Sequence, residues 1–544
     1  MAHISSPLAA HTLHWQHRYA TELPELCVAW PPARAPRPVL QVFNHALAHE
    51  LGWPAEALDS PAGAELLSGN AVPEGVQPVA QGYAGHQFGG YSPQLGDGRA
   101  LLLGEVRDTH GQLRDVAFKG SGRTPFSRGG DGKAALGPML REYLVSEAMH
   151  ALGVPTTRSL AVATTGERIR RDSGLVPAAV LTRVAASHIR VGTFQWVAGQ
   201  GDVDMLRRLA DFTLARHYPQ LMPEAVQSAQ ATPAATYLAM LAAVCERQAA
   251  LVAQWMGLGF VHGVMNTDNM TLSGETIDYG PCAFMEAYDP DTVFSSIDHG
   301  GRYAWGNQPG IAQWNLARLA EALLPLLHPD TEQAVALASD AINRFGALYQ
   351  RQWLAVMRAK LGLQPDAGTQ ASDEEDLALI HGWLTALQGQ GADWTLAHRH
   401  LCDVAEQAVQ LPCAVEGEPA HPEAQVAAPA AVGNPAHTRL TQLCADPTAL
   451  NAWLPRWQGR LRRNPSGHPA DWAAAMRGAN PMYIPRNQRV EEALSAASDS
   501  GNLAPFHALL AVVQRPFDEA PGQVRYATPA HPDQARGYHT FCGT

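Results

Sequence analysis

Short apolar runs separated by glycine-rich turns mark the chain between about residues 81 and 200. Gly96-Asp97-Gly98-Arg99 precedes the apolar run 100–106, and Asp-Gly before such a run is typical of a β-hairpin. A second strand is predicted at 115–118, and it ends at Lys119. Further strands are predicted at 157–163 and 178–184. The pattern therefore predicts a small β-sheet in this part of the chain.

Apolar residues recur every three to four positions in the next segments, which predicts helices. The first is 138–152, with Pro138 in its first turn and Leu140, Leu144 and Ala148 on the same face as Ala151 and Leu152. Beyond about residue 202 the pattern is mostly helical. The predicted helices are 202–216, 233–257, 312–326, 331–361 and 376–389.

This order of elements predicts an α+β protein with a two-lobed, protein-kinase-like fold. Residues 1–80 are predicted to form an N-terminal extension packed on the core, residues 81–200 an N-lobe and residues 201–411 a helical C-lobe. The segment 412–437 is rich in Ala, Pro and Glu, which favours a linker or surface loop. Residues 438–544 are predicted to form a helical extension whose tail, 516–540, lacks regular structure.

The composition narrows the function classes. The net charge of −12 and a pI near 6.0 do not indicate a basic surface for nucleic acid. No stretch of about 18 apolar residues predicts a membrane span, and the N-terminus lacks the pattern of a signal peptide. The seven scattered cysteines include no Cys-x-x-Cys motif, which argues against a zinc ribbon or a thioredoxin-like motif. Their odd number suits a reducing cytoplasm.

Lysine is rare, so its positions are informative. Lys119, Lys133 and Lys360 are the only three in the chain, and Lys119 falls at the end of a predicted strand. A lysine held by a glutamate on the next helix is a standard device for positioning ATP phosphates. Glu142 and Glu147 are the candidates, and Glu142 is preferred because it lies near the start of the helix. Either carboxylate could instead be a solvated surface residue.

Several polar residues elsewhere are candidate nucleotide contacts. Glycines such as Gly96 and Gly98 let the backbone approach a phosphate, and Arg99 can add a bidentate contact. Taken by itself, however, this motif favours a hairpin turn with a surface arginine. Arg183 and Arg190 could neutralise a triphosphate or be ordinary surface arginines. Asp131-Gly132 could likewise be a nucleotide contact or a plain turn.

The strongest motif runs from His262 to Asn269 and is followed by Asp278-Tyr279-Gly280. A protein-kinase catalytic loop reads His-Arg-Asp, four residues, then Asn, with Asp-Phe-Gly further on. Asn269 and Asp278 therefore occupy the positions of the two oxygen ligands for Mg²⁺ or Mn²⁺. The alternative is a His and two Asp residues in capped turns between short strands.

The position of the kinase base is occupied by Val264, which cannot accept a proton. Ordinary kinase chemistry is therefore not expected. Asp268, next to Asn269, is the nearest carboxylate that could deprotonate an incoming hydroxyl group.

Two cysteines lie at positions of interest. Cys282 follows Asp278-Tyr279-Gly280 by two residues, and Cys542 is close to the chain end. A thiol in a C-terminal tail is a plausible redox handle. From spacing alone, two unrelated thiols are the better interpretation.

These residues and the motifs around them make the chain resemble the selenoprotein O family. The resemblance rests on motifs that run across most of the chain: Tyr83-Ala84-Gly85-His86-Gln87-Phe88-Gly89, Pro93-Gln94-Leu95-Gly96-Asp97-Gly98-Arg99, Phe118-Lys119-Gly120-Ser121-Gly122, Asn266-Thr267-Asp268-Asn269, Asp278-Tyr279-Gly280-Pro281 and Asn480-Pro481-Met482-Tyr483-Ile484-Pro485-Arg486-Asn487. It implies a pseudokinase fold that binds ATP in an inverted orientation and transfers AMP to Ser, Thr or Tyr hydroxyl groups of proteins, with loss of pyrophosphate. UMP transfer from UTP is also attributed to the family.

The resemblance also implies roles for individual residues. Asp268 is then the base, Asn269 and Asp278 the metal ligands, and Glu142 the partner of Lys119. The implied nucleotide contacts are Gly96, Gly98, Arg99, Lys119, Asp131, Gly132, Arg183, Arg190 and Asp278. Some members carry selenocysteine near the C-terminus, where this chain has Cys542, so a regulatory Cys282–Cys542 disulfide is a hypothesis. A monomer in the bacterial cytoplasm is expected.

Two other functions remain open at this stage. A small-molecule phosphotransferase of the aminoglycoside-kinase type shares the two-lobed fold, but such enzymes keep a carboxylate where this chain has Val264. A non-catalytic nucleotide-binding scaffold is the alternative from a different class, and loss of the usual base motivates it.

Overall fold

The structure, a computed structural model, describes residues 13–172, 174–222, 232–365, 370–407, 435–464 and 468–541. The first part of the chain is organised around an antiparallel sheet, and the C-terminal part is rich in helices. The chain is therefore an α+β protein, as the sequence pattern predicts.

The strands in chain order are β1 (Cys27–Ala29), β2 (Val39–Phe43), β3 (Val79–Gln81), β4 (Gly85–Gln87), β5 (Gly90–Ser92), β6 (Ala100–Arg107), β7 (Leu113–Lys119), β8 (Ala134–Ala135), β9 (Arg158–Arg171), β10 (Gly174–Ala185), β11 (Phe260–Val261) and β12 (Ala283–Phe284). The main sheet has the order β1-β3-β6-β7-β10-β9-β2, and β8 pairs with β10. Separate two-stranded pairs are formed by β4 with β5 and by β11 with β12.

The β6–β7 hairpin sets the position of Lys119. Its turn is held by the Asp108 carboxylate, which accepts hydrogen bonds from the backbone N–H groups of His110 (2.9 Å) and Gln112 (2.8 Å). The register pairs Ala100 with Lys119. The segment 96–99, which precedes β6, therefore lies beside the lysine at the end of β7.

Two strands extend beyond the apolar runs that predict them. The run 157–163 lies in β9 and the run 178–184 in β10, and these two long strands pair with each other from Gly174↔Arg171 to Val184↔Arg158. The added residues of β9 are mostly polar and half-buried or exposed. Backbone pairing continues there without an apolar side-chain pattern, so periodicity could not detect it.

Residues from the predicted N-terminal extension contribute directly to the sheet. β2 forms one edge of the sheet by pairing with β9, and β1 joins the other edge through β3. Short helices between these strands cover the sheet with a small core that contains Leu47, Leu58 and Phe118. This segment is thus attached by strand pairing as well as by packing.

The helices in chain order are α1 (Arg18–Glu22), α2 (His45–Glu50), α3 (Ala55–Leu58), α4 (Pro61–Leu67), α5 (Leu136–Ala151), α6 (Val191–Gln200), α7 (Val203–His217), α8 (Pro233–Leu258), α9 (Gln308–Leu327), α10 (Thr331–Asn343), α11 (Phe345–Leu361), α12 (Gln370–Leu387), α13 (Trp394–Gln407), α14 (Pro435–Thr441), α15 (Thr448–Leu461), α16 (Pro469–Ala479), α17 (Asn487–Ser500), α18 (Ala504–Val513), α19 (Val524–Ala527) and α20 (Pro532–Ala535). The helices predicted at 138–152, 202–216, 233–257, 312–326 and 376–389 correspond to α5, α7, α8, α9 and α12, with ends shifted by a few residues. Across the described segments, no helix combines the length and the apolar character needed to cross a membrane.

The single helix predicted at 331–361 is wrong, because the structure divides it into α10 and α11. Arg344 separates the two and keeps nearly helical backbone angles, with φ −73° and ψ −17°. The helical spacing of apolar residues therefore continues through Arg344, because the residues on both sides of it are helical. α10 buries Ala334, Ala338 and Ala341, and α11 begins with the buried Phe345.

Helix α5 connects the sheet to the C-terminal helices. Its buried residues, among them Leu140 and Tyr143, share one core with Val162 of β9 and with Phe506 and Leu510 of α18. The predicted tail 516–540 contains the short helices α19 and α20 but is otherwise irregular. Most of the predicted linker 412–437 lies outside the described residues, and residues 435–437 begin α14.

Candidate active site

A cleft of about 790 Å³ collects the polar residues that the sequence singles out. It lies where the end of β7, the loop 126–133 and the segment 264–281 face one another. The sequence-predicted residues that line it are Gly96, Gly98, Arg99, Lys119, Asp131, Gly132, Arg183, Arg190, Asp268, Asn269 and Asp278. Residues that are up to 182 positions apart in the chain therefore meet in one site.

Lys119 is held by two carboxylates. Its Nζ lies 2.5 Å from Oε2 of Glu142, on α5, and 2.6 Å from Oδ1 of Asp278. Glu147 points elsewhere and pairs with Arg158 at 2.7 Å. The structure thus places Glu142, the preferred candidate, beside the lysine.

Two buried arginines join the same cluster. Nη1 of Arg183 lies 2.8 Å from Oδ1 of Asp278 and 3.2 Å from Oε1 of Glu142. Nη1 of Arg190 lies 3.6 Å from Oδ2 of Asp278, and its guanidinium group stands over the ring of Tyr83 at 4.5 Å. The surface interpretation of these arginines is therefore wrong, since both are almost fully buried.

The lining of the cleft carries more positive than negative charge. Its cationic side chains outnumber its carboxylates, which are those of Asp97, Asp131, Asp268 and Asp278, even when Glu142 behind Lys119 is included; the cations are Arg99, Lys119, Arg128, Lys133, Arg171, Arg183 and Arg190. Asp278 has a left-handed backbone angle, φ +63°, that directs its carboxylate among Lys119, Arg183 and Arg190. Burial raises the pKa of Asp278, but the attraction of Lys119 and the arginines outweighs burial and lowers it well below the usual value. An anion such as a polyphosphate suits this charge balance.

Asp268 has a different environment from Asp278. It lies in the short turn Thr267–Asn269, and only 7% of its surface is exposed. Oδ2 accepts a hydrogen bond of 3.1 Å from Nε2 of Gln87, whereas Oδ1 is buried without a hydrogen-bond partner in the described part of the chain. Burial raises the pKa of Asp268 to about 6. A carboxylate that lines the cleft and has a raised pKa is suited to accept a proton.

Asn269 and Asp278 offer the oxygen donors that a divalent cation requires. The amide nitrogen of Asn269 donates to the carbonyl oxygen of Val264 at 2.9 Å, so its amide oxygen is the end available to a cation. Mg²⁺ is commonly held by one or two protein oxygens together with substrate phosphates. These two residues fit that pattern, although within the described ranges no group of three His, Cys, Asp or Glu residues forms a complete protein cage.

The glycine segment forms one wall of the cleft. Gly96 has φ +92°, and a Cβ atom there would lie 2.5 Å from the ring of Phe126. A Cβ atom at Gly132, φ +67°, would lie 2.2 Å from the carbonyl oxygen of Gly122. Both positions therefore require glycine to bring the two loops together. The carboxylate of Asp131 lies 2.8 Å from Arg171, which also lines the cleft.

Comparison with known proteins shows the family. The model of the family described as "Protein adenylyltransferase SelO" matches residues 9–514. The chain belongs to the SelO family. Its resemblance to selenoprotein O, drawn from the sequence motifs, is thereby confirmed.

Bacterial members of the SelO family are similar over nearly the whole chain. A protein named protein nucleotidyltransferase YdiU from Chromobacterium violaceum is 55% identical over 520 residues, covering 95% of this chain and 99% of the relative. A protein of the same name from Cereibacter sphaeroides (strain KD131) is 54% identical over 533 residues, covering 98% of this chain and all of the relative. One from Rhizobium meliloti is 52% identical over 514 residues, covering 94% and 96%.

Of the two candidate redox cysteines of this SelO family member, Cys282 lies among the described residues. Cys282 is only 1% exposed, and burial raises the pKa of its thiol to about 12. Cys542 lies outside the described residues. The nearby Thr540 donates from its hydroxyl group to the carbonyl oxygen of Pro281 at 2.7 Å, which brings the C-terminal segment beside Cys282.

Sequence reasoning missed the cleft residues Tyr83 and Gln87 and the contacts of the loop 126–130. Tyr83 contacts Arg190 and Gln87 contacts Asp268, so both act on predicted site residues. The run Tyr83–Gly89 was visible as a family motif, but its residues lack a charge or spacing that indicates a chemical role. Only the fold brings them to the cleft.

Proposed function

We propose that this protein transfers AMP from ATP to Ser, Thr or Tyr hydroxyl groups of proteins and releases pyrophosphate. The observation that carries the proposal is a cleft whose lining joins an excess of cationic side chains to a buried carboxylate, Asp268, in a chain with Val264 at the kinase base position. The family description as protein adenylyltransferase and the relatives' names as nucleotidyltransferases support it.

We further propose that the fold is kinase-like. The N-lobe, residues 81–200, would supply Lys119 and Glu142, and the C-lobe, residues 201–411, would supply Asp268, Asn269 and Asp278. The lysine–glutamate pair and the two metal-ligand positions are the recurring parts of a kinase site, and here they meet in one cleft. A complete set of groups comes from one chain, so we propose that a monomer is active.

In the proposed reaction, the acceptor hydroxyl group loses its proton to Asp268. Its oxygen then forms a bond to the α-phosphorus of ATP, and the bond from that phosphorus to the bridging oxygen of the β-phosphate breaks. Pyrophosphate leaves with the electron pair of that bond. Lys119, Arg183 and Arg190 bind the phosphates and stabilise the charge that develops on them. These contacts reach groups common to ATP and UTP, and we therefore propose UTP as a second donor.

A divalent cation completes the proposed site. Asn269 and Asp278 would hold Mg²⁺ or Mn²⁺, which supplies further neutralisation of phosphate charge when bound. Arg99 and the backbone at Gly96, Gly98 and Gly132 would line the rest of the nucleotide, with Asp131 at the outer edge of the cleft.

The proposal is tested by finding which phosphate group of ATP is transferred to protein. The protein is incubated with ATP labelled at the α- or the γ-phosphate, with Mg²⁺, with Mn²⁺ or with EDTA, and its intact mass is recorded. We expect α-label and an AMP adduct on protein, with loss of both in EDTA. Protein labelled only from γ-labelled ATP would identify a kinase instead, and ATP binding without any adduct would identify a nucleotide-binding scaffold.

We also propose that Cys282 and Cys542 form a regulatory disulfide in a protein that otherwise acts in the reducing cytoplasm. The contact of Thr540 with Pro281 supports the approach of the two segments, whereas the burial and high pKa of Cys282 make its thiol slow to react. With glutathione disulfide as oxidant, non-reducing peptide mass spectrometry is expected to find the crosslink and to lose it in Cys282→Ser. The half-buried Cys27 is the control, because Cys27→Ser is expected to keep the crosslink. Free Cys282 and Cys542 thiols after oxidation contradict the proposal.

A further inference from the structure

The hairpin β4–β5 lies directly against the turn that carries Asp268. The backbone N–H of His86 donates to Oγ1 of Thr267 at 2.7 Å. The side chain of Gln87 donates to Oδ2 of Asp268 at 3.1 Å, and the backbone N–H of Phe88 donates to Oδ1 of Asn266 at 3.1 Å. Consecutive hairpin residues thus bind consecutive residues of the turn.

Buried side chains fix this contact from both sides. Thr267 Oγ1 donates to Oε1 of Gln195 at 2.6 Å, and the amide nitrogen of Gln195 lies 2.7 Å from Nδ1 of His86. The hydroxyl group of Tyr303 donates to Oδ1 of Asn266 at 2.6 Å. The hairpin and the turn are therefore joined into one hydrogen-bonded unit, so the position of Gln87 is defined relative to Asp268.

The two carboxylate oxygens of Asp268 have different surroundings within this unit. Gln87 binds Oδ2, and Oδ1 has no hydrogen-bond partner among the described residues. Oδ1 is buried against Gly85, where a Cβ atom would lie 2.5 Å from it, so only glycine lets the hairpin approach the carboxylate this closely. A carboxylate fixed through one oxygen keeps the plane and direction of the other.

We propose that Gln87 is a positioning residue for AMP transfer: its amide N–H holds Oδ2 of Asp268 and so fixes the plane and direction of the carboxylate that takes the proton of the acceptor hydroxyl group. Gly85 serves the same end, because its lack of a Cβ atom lets the hairpin lie against Oδ1 without displacing it. The inference rests on the proposed function, in which Asp268 is the base. Gln87 itself needs no contact with the acceptor or the nucleotide in this role.

Gln87→Met tests the hydrogen bond, because methionine has a similar length but no N–H donor. We expect kcat for AMP transfer to fall about 10- to 100-fold, the range for losing a hydrogen bond to a charged group, with the KM and Kd for ATP unchanged. Gln87→Glu should show the same loss, since it keeps the shape and removes the donor. Gly85→Ala should also lower kcat by crowding Oδ1. The matched control is Gln333→Met on exposed α10, which should keep wild-type kcat.

A double-mutant cycle separates positioning from a general structural effect. If Gln87 acts through Asp268, Gln87→Met should add little to the loss already caused by Asp268→Asn in single-turnover assays. A wild-type or increased kcat in Gln87→Met would overturn the inference, as would parallel losses of ATP affinity and thermal midpoint. Failure of the proposed function is distinguishable, because the wild-type protein itself would then form no AMP adduct.

Discussion

Asp268→Ala is expected to lower the rate of AMP transfer by about 10²- to 10⁴-fold, the usual contribution of a general base, while ATP still binds. The reason is that Asp268 is the proposed proton acceptor, whereas other residues supply the cations proposed to bind the phosphates. Its carboxylate contacts Gln87, and Lys119 and Arg183 contact Asp278 instead. The rate is measured by intact-mass analysis of adducts and the affinity by calorimetric titration with ATP.

Two further variants sharpen this experiment. Asp268→Asn keeps the volume of the side chain and should lose activity to a similar extent, because an amide is a far weaker proton acceptor. Asp204→Ala removes a carboxylate whose side chain is 88% exposed and should behave as wild type. If Asp268→Ala kept its rate, another group would have to be the base. If it lost ATP binding in proportion, Asp268 would have a binding role.

Lys360→Met is expected to stabilise the protein by about 4 kcal/mol at pH 7, because the pKa of Lys360 is lowered from 10.5 to about 7 and each unit corresponds to 1.36 kcal/mol. Lys360 is only 4% exposed in α11, and burial lowers its pKa to about 7. The neighbouring His398 is held neutral, because burial and the charge of Lys360 lower its pKa, and it forms hydrogen bonds with Trp383 and Trp394. In the described part of the chain, Cys402 is the one neighbour that favours the charged amine. Methionine fills the same space without this cost.

The sign of the pH dependence follows from the lowered pKa. Unfolded Lys360 binds a proton up to about pH 10.5, whereas the folded protein releases it near pH 7. Burying the charged amine of Lys360 therefore lowers the free energy of unfolding by its full amount below pH 7. This destabilisation shrinks as pH rises and disappears above the pKa of Lys360 in the unfolded chain. The gain from Lys360→Met, measured as the free energy of unfolding in urea, should fall below about 1 kcal/mol at pH 10.

The control for Lys360→Met is Arg351→Met. Arg351 lies on the exposed surface of α11, the helix that also carries Lys360, and its charge is paired with Glu246 of α8. Arg351→Met should change the free energy of unfolding by less than about 0.5 kcal/mol at either pH. A stability of Lys360→Met equal to or below that of wild type at pH 7 would show that the amine has a partner that satisfies its charge.

The sequence by itself determined the identity of most chemical groups in the site. The spacing of His262, Asn269 and Asp278 and the rarity of lysine marked the residues that line the cleft, because these patterns depend on positions that are close in the chain. Helices such as α8 were predictable for a similar reason, since their apolar period is local. The extra length of β9 and the break at Arg344 were not, because backbone pairing and a cap with helical angles leave no periodic signal.

Tertiary structure alone decided how these groups act on one another. The sequence offers both Glu142 and Glu147 and favours the first only by its place near the start of the helix, whereas the packing of α5 on the sheet brings the first to Lys119 and the second to Arg158. Gln87 reaches Asp268 across 181 residues, a contact that no local pattern encodes. The charged neighbours separate the two buried aspartates: Lys119 and the arginines lower the pKa of Asp278, whereas desolvation prevails at Asp268 and raises its pKa. Distance, burial and charge balance are properties of the folded chain, and they give two chemically identical side chains different pKa values.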